Sequence, residues 1–300
     1  VTAYQSICLR SFAKINLGLH ILGKRQDGYH EIRTLFQSID LHDRIEITRR
    51  TNEGVTLECS RPDLSHSGNL VTKAAQMFVN MLDRPVGLHL RLEKTIPIGA
   101  GLGGGSSNAA TTLLGLQRLL GKSLSTDQLF ELGGHLGSDV PFFFVGGTAL
   151  GVGRGSEVYP LEEQEENHVL VVVPLFSVPT PNAYARAGLG LTKRVNDSMI
   201  PVFCSGYLDS VKERWLLEND FEKTVLEDRA ELRQLMRSLT RLGARGVRLT
   251  GSGAALFALY GSEDELQKAQ DHFSSTNVRA IRTRTLSRVQ YWQCLVESLQ

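Results

Sequence analysis

Pro97-Ile98-Gly99-Ala100-Gly101-Leu102-Gly103-Gly104-Gly105-Ser106-Ser107-Asn108-Ala109-Ala110 is the densest glycine run in the chain, and it passes without a break into a helical pattern. An alternating strand candidate, Val86 to Leu92, precedes it, and apolar positions at Ala109, Ala110, Leu113, Leu114 and Leu120 follow it. The local order is strand, glycine loop, helix. Glycines reach backbone angles closed to other residues and carry no Cβ, so successive N–H groups can converge on an anion. A helix entered at about Ser106 adds unpaired N–H groups and the positive end of its dipole. A polyphosphate suits that arrangement.

Two familiar phosphate loops do not fit. A Walker loop ending at Gly121-Lys122-Ser123 would need glycine where Leu116 stands, and those residues end a helical pattern rather than open one. Gly99, Gly101 and Gly103 miss the Gly-x-Gly-x-x-Gly spacing of a dinucleotide fold, and Pro97 interrupts the junction between strand and loop.

The 300 residues, 41% hydrophobic, suffice for one large domain or two moderate ones. With 33 basic against 32 acidic residues there is no electrostatic footprint for a nucleic acid. Cys8, Cys59, Cys204 and Cys294 form no Cys-x-x-Cys pair and stand near no histidine at metal spacing, which predicts reduced thiols and a cytoplasmic setting. Val1 to Arg10 lacks the apolar stretch of a signal peptide, and the longest apolar runs are too short to cross a bilayer, so no membrane partner is expected. No obligatory protein partner is predicted.

From Ile7 to Ile21 the alternation is nearly strict, which puts Lys14 and Asn16 together on the face opposite Ala13, Ile15 and Leu17. An edge strand with one solvated face would give the same pattern. Two further strands are expected at Thr34 to Leu41 and Arg44 to Arg49, and Asn69 is a plausible cap for a helix from Leu70 to Leu82. Ser125 and Gln128 suggest a capping box for a helix ending near Leu136. Asp139 follows at the helix exit, ahead of Phe142-Phe143-Phe144, as either a turn cap or a positioned functional group. The acidic run Glu162 to Glu166 is the preferred change of domain. Beyond it, one long helical pattern spans Phe221 to Leu242, and Thr250-Gly251-Ser252-Gly253-Ala254 makes a tight loop between two strands.

Pro-x-x-x-Gly-Leu-Gly-Gly-Gly-Ser-Ser-x-Ala-Ala resembles the phosphate-binding motif of the small-molecule kinases that include galactokinase, homoserine kinase and mevalonate kinase. Ser11-Phe12-Ala13-Lys14-Ile15-Asn16-Leu17, Asp27-Gly28-Tyr29-His30 and Leu136-Gly137-Ser138-Asp139-Val140-Pro141-Phe142-Phe143 resemble the branch of that superfamily acting on a cytidine diphosphate-linked methylerythritol. Asn108 departs from the aspartate that many relatives carry.

That resemblance implies an α+β, two-domain fold: a ribosomal S5 domain 2-like N-terminal domain over residues 1–163, and a ferredoxin-like C-terminal domain over 164–300 completing the cleft. It implies transfer of the γ-phosphoryl group of ATP, with Mg2+, to the 2-hydroxyl of 4-diphosphocytidyl-2-C-methyl-D-erythritol. Asp139 takes the catalytic position and Lys14 stands as its partner. ATP falls to Asn69, Pro97, Gly99, Gly101, Leu102, Gly103, Gly104, Gly105, Ser106 and Ser107, closed over by Gly251, Ser252 and Gly253. Ser106 or Ser107 would meet magnesium directly or through water. Asn16, Asp139, Tyr29, His30 and Tyr184 would hold the small-molecule substrate, the two tyrosines around its cytosine.

Overall fold

The alternation that starts at Ile7 runs on as β1, Ser6–Lys24, paired antiparallel along its length with β2, His30–Arg50. The computed structural model describes residues 5–163, 166–176 and 218–299. The two strands expected between Thr34 and Arg49 are one. Phe12 pairs with His42 and Ala13 with Ile39, so a bulge absorbs the extra residues and bends the ladder instead of ending it.

β3 (Gly54–Cys59), β4 (Gly87–Glu93) and β11 (Val296–Leu299) complete the order β11-β1-β2-β4-β3, while β5 (Thr148–Val152) pairs with β2 and with β6 (Glu157–Pro160). Helices α1 (Leu70–Val79), α2 (Gly104–Leu120) and α3 (Thr126–Leu136) pack on this sheet around Phe12, Ile47, Phe78, Leu113 and Phe142. α2 comes so near that a Cβ at Gly115 would stand 2.6 Å from Leu9 Cδ1. Both sequence-predicted caps form: Asn69 Oδ1 accepts from Val71 N at 2.9 Å, and Ser125 with Gln128 closes a capping box. α1 stops three residues earlier than expected.

The second sheet holds β7 (His168–Pro174), β8 (Gly246–Leu249), β9 (Leu256–Tyr260) and β10 (Val278–Arg284) in the order β10-β7-β9-β8, with every pair antiparallel. α4 (Phe221–Asp228) and α5 (Ala230–Arg241) replace the single long helix, because Arg229 sits at φ −124°, ψ 88° and breaks it. With α6 (Glu263–Phe273) they share a core that includes Leu170, Leu232, Leu256 and Phe273. The sheet's other side meets the first, where Ile15, Leu17 and Leu35 pack with Val169, Val171 and Phe257. β1 is thus an interior strand. Lys14 and Asn16, on the face an edge strand would leave to solvent, are only 3% and 2% exposed.

The chain's end also departs from the expected division at residue 164. Arg288–Cys294 forms α7, whose fully buried Tyr291 packs on Phe12 and donates its hydroxyl to Phe143 O at 2.7 Å. β11 then pairs with β1. Leu286, Tyr291 and Leu295 find their burial in the first core, so these residues close the N-terminal sheet rather than the second one.

Glu297 anchors that return, with Arg10 Nε and Arg44 Nε each 2.8 Å away and Cys8 Sγ at 3.1 Å. The Arg10 hydrogen bond, outweighing burial and seconded by Arg44, holds its carboxyl down to about 2 from 4.5. A depressed carboxyl stabilises fully above its unfolded value, and that stabilisation fades as pH falls through the folded one. Glu297→Gln should therefore lower the melting temperature at pH 7, with the gap to the parent narrowing as pH drops below 4.5. Thermal melts across pH check this; a gap that does not vary with pH would refute it. Among the described residues no helix is long and apolar enough to cross a membrane.

Candidate active site

The glycine loop is held down at Leu102. Lys14 N donates to Leu102 O at 3.0 Å, and the buried Leu102 side chain pins the loop into the core between the sheets. Gly103 stands at φ 70° as the N-cap of α2, with no side-chain cap. Ser107 N is the first amide of the turn bonded back, to Gly103 O at 2.9 Å, so helix geometry leaves the N–H groups of Gly104, Gly105 and Ser106 for a ligand. A Cβ at Gly103 would stand 2.9 Å from the Phe143 ring and 3.0 Å from Lys14 Cγ, so only glycine leaves this cradle open. Gly99, also at positive φ, has nothing within 4 Å of its Cβ position. Pro97 begins this loop, half-buried beside the buried Ile96.

Under the cradle lies Lys14. Its ammonium donates to Asn16 Oδ1 at 2.7 Å and stands 3.5 Å from Asp139 Oδ2. Asn16 Nδ2 donates to Thr34 Oγ1 at 2.7 Å, which donates to Gly18 O at 2.8 Å, so the carboxamide is fixed with its oxygen toward the lysine. Of the two roles left open for Asp139, the turn cap finds no capping bond. Asp139 stands at the N-cap of the 3-10 turn Val140–Phe144, and its side chain, 33% exposed, faces Lys14. Phe142 and Phe143, fully buried, anchor the turn that carries it. A carboxylate held beside an ammonium at the mouth of an anion cradle can orient a hydroxyl and take its proton.

The two serines separate. Ser107 is fully buried with Oγ 2.8 Å from Ser11 Oγ, while Ser106 is half-buried and lies near the Gly137 turn. Asn108 lies wholly inside as well. It donates to Ser11 Oγ and Asp43 Oδ2, both at 2.8 Å, and accepts from Lys94 Nζ at 3.1 Å. Asp43, fully buried, also bonds Lys94 Nζ and accepts from Thr95 N at 2.7 Å and Ile96 N at 2.8 Å. An amide at position 108 thus leaves this cluster with one carboxylate against one ammonium, where a second carboxylate would add uncompensated buried charge. Among the described residues no three His, Cys, Asp or Glu side chains converge as a metal cage. A magnesium ion carried mainly by substrate phosphates needs none. Of the two serines, only Ser106 keeps its hydroxyl outside the buried cluster.

The turn from Thr250 to Ala254 meets the glycine loop. Thr250 Oγ1 lies 3.1 Å from Gly101 O and 3.3 Å from Asn16 N, and Gly251 and Gly253 take φ 56° and 89°. Ser252 is 6% exposed. Asn69 is committed locally, its amide donating to Leu64 O at 2.9 Å, but the helix it caps brings Leu70 to 3.5 Å from the Cβ position of Gly105.

Away from the glycine loops, Tyr29 is 51% exposed at the β1–β2 turn, with the Arg154 guanidinium 5.2 Å above its ring. Burial, and after it the Lys24 ammonium, push the His30 imidazole below its usual range, which favours the neutral ring with one donor and one acceptor. Tyr184 lies outside the described residues. Sequence reasoning named no role for Thr34, Thr250 or Asn219; Thr250 stood inside a quoted motif, whereas nothing local marks the other two.

Residues 69–147 match the GHMP kinases N terminal domain family and residues 209–279 the GHMP kinases C terminal family. A 4-diphosphocytidyl-2-C-methyl-D-erythritol kinase of Solibacter usitatus is 42% identical over 267 residues, 87% of this chain and 83% of that protein. A protein of the same name from Thermodesulfovibrio yellowstonii is 37% identical over 279 residues, 91% of this chain and 96% of its own length. A crystal structure of a 4-(cytidine 5'-diphospho)-2C-methyl-D-erythritol kinase superposes with a TM-score of 0.78 at 33% identity, over 93% of this chain and 99% of that one. Homoserine kinase from Cytophaga hutchinsonii, at 18% identity and a TM-score of 0.71, covering 96% of each chain, shares the fold. With this likeness over nearly its whole length, and with Lys14 beside both Asp139 and the glycine loop, the chain belongs to the 4-diphosphocytidyl-2-C-methyl-D-erythritol kinase family of the GHMP kinases, the ATP-dependent small-molecule kinases.

Proposed function

We propose that the chain transfers the γ-phosphoryl group of ATP to the 2-hydroxyl of 4-diphosphocytidyl-2-C-methyl-D-erythritol, giving the 2-phosphate and ADP, in the non-mevalonate route to isoprenoid precursors. The observation that carries this reading is the uncapped Asp139 carboxylate held 3.5 Å from the buried Lys14 ammonium beside the glycine cradle. The acceptor hydroxyl donates to Asp139, which takes its proton as the new O–P bond forms. The bond from the γ-phosphorus to the bridging oxygen breaks, and its electron pair leaves on ADP. Lys14 stabilises negative charge on the oxygens between donor and acceptor, and Asn16 keeps its ammonium aimed there. The N–H groups of Gly104, Gly105 and Ser106 hold the phosphates, and Gly251 to Gly253 close over them. Magnesium, contacted by Ser106, would neutralise polyphosphate charge.

Tyr29, and Tyr184 beyond the described residues, would stack on the cytosine while neutral His30 reads its polar edge. The order β10-β7-β9-β8, with two strand-helix-strand units, supports a ferredoxin-like second domain, and the helix-covered first sheet a ribosomal S5 domain 2-like one. Free thiols at Cys8, Cys59 and Cys294 fit a reducing, cytoplasmic setting.

Magnesium-dependent ADP release, measured in a coupled assay with product mass, tests the reading. Selective turnover of 4-diphosphocytidyl-2-C-methyl-D-erythritol over homoserine, mevalonate and galactose is expected; preference for another alcohol would overturn the substrate assignment. Tyr29→Ala should raise KM for the cytidylyl acceptor about 10–100-fold, the worth of one base–aromatic stack, with ATP affinity little changed. Equal losses for both ligands would contradict cytosine recognition.

A further inference from the structure

The segment just before α4 enters no motif discussed above, yet it grips both halves of the site. Asn219 is 2% exposed, and its single Nδ2 donates to two carbonyls, Leu249 O at 2.8 Å and Gly251 O at 3.0 Å. Its Oδ1 accepts from Phe221 N at 3.0 Å. Two donors and one acceptor on one short side chain is a requirement that asparagine meets, and that serine, aspartate and alanine do not. Glu222 Oε1 accepts from Leu249 N at 2.8 Å, so Leu249 is held through both its amide and its carbonyl.

The same segment is bound to β1. Leu19 N donates to Glu218 O at 3.0 Å, Asp220 N to Leu19 O at 2.9 Å, and Ile21 N to Asp220 Oδ2 at 2.8 Å. Asn219 therefore ties the loop leaving β8 to the strand that carries Lys14 and Asn16. On the loop's far side, a Cβ on Gly251 would stand 3.3 Å from Gly101 O and 3.6 Å from Asn16 Oδ1, and Thr250 Oγ1 touches Asn16 and Gly101. Any shift at Leu249 to Gly251 is thereby passed to the glycine cradle and to the residue that aims the lysine.

We infer that Asn219 is a positioning residue for phosphoryl transfer, clamping the Leu249 and Gly251 carbonyls so that the turn from Thr250 to Gly253 sits in register with Gly101 and Asn16. This rests on the reading of Gly251 to Gly253 as the segment that closes over the phosphates. Its effect lies on the ATP side: a loosened segment misplaces the donor by fractions of an ångström, which is costly for in-line transfer. The acceptor's cytosine end, held at Tyr29 and His30, is not touched by this clamp.

Asn219→Ala, Asn219→Asp and Gly251→Ala in the full chain, with kcat, both KM values, nucleotide affinity and melting temperature measured, test it. Asn219→Ala should lower kcat and raise KM for ATP, each about tenfold, with KM for the acceptor within about twofold of the parent. Asn219→Asp, which sets carboxylate oxygens against two carbonyls, should do at least as much. Asn219→Ser, keeping one donor, provides a milder variant should those two fail to fold, and should fall between them and the parent. Asn219 variants that melt lower but keep kcat and KM for ATP within about twofold would overturn the inference, as would equal rises in both KM values. If Gly251→Ala leaves nucleotide affinity and kcat unchanged, it is the closing role of the glycine segment that fails. If Gly251→Ala impairs them and the Asn219 variants do not, only the clamp fails.

Discussion

Asp139→Asn is expected to cut kcat by about 10²–10⁴-fold, the range for removing a general base, while ATP affinity stays near that of the parent. The substitution keeps the size of the side chain and its place at the start of the 3-10 turn, where the carboxylate makes no capping bond that the amide would lose. What it removes is the anionic oxygen that faces Lys14 at 3.5 Å and would receive the acceptor's proton. The fold should survive, because Phe142, Phe143 and Pro141 hold the turn independently of residue 139. Single-turnover kinetics together with nucleotide binding separate the two effects, since loss of turnover with binding intact locates the defect in the chemical step. A folded Asp139→Asn protein with near-normal kcat would remove Asp139 from its assigned role.

What could be read from the sequence divides along the range of the interactions involved. The glycine loop, the Asn69 cap, the Ser125–Gln128 box and the helix end near Leu136 depend on residues within a few positions of one another, and each was legible. The surroundings of Lys14 were not. Alternation in β1 says which side chains share a face but not what covers that face, and here α2, Phe143 and the loop at Gly103 close over the side an edge strand would leave to solvent. The return of the chain's end to the first sheet was equally hidden, since β11 pairs with β1 from the opposite end of the sequence.

The buried cluster around Asp43 shows the same limit from the side of charge. Asp43 falls between two expected strands and Lys94 just past another, and no local pattern marks either; yet they pair with each other beneath the first turn of α2 and draw in Asn108 and Ser11. Asn108 links this cluster to Ser11 and through it to Ser107. The amide at position 108 therefore sits in the support of the loop, one layer behind the cradle's N–H groups.

Gly101→Ala should be the most damaging single methyl in the phosphate site. Gly101 takes φ +79°, where an alanine costs about 1–2 kcal/mol of backbone strain, and its Cβ would overlap the Thr250 carbonyl oxygen and stand 3.0 Å from the carbonyl carbon. Backbone atoms on both sides cannot rotate away, so Thr250 must shift, and its hydroxyl contacts to Gly101 O and Asn16 shift with it. Gly99→Ala is the internal control. It carries a similar backbone penalty at φ +67° but has nothing within 4 Å of the new methyl. Measured side by side, both should lose some stability, whereas Gly101→Ala alone should weaken ATP binding by about tenfold or more and lower kcat, because it alone moves the two glycine segments apart. Equal effects from the two substitutions would mean that backbone freedom, and not the contact between Gly101 and Thr250, is what the phosphate site requires.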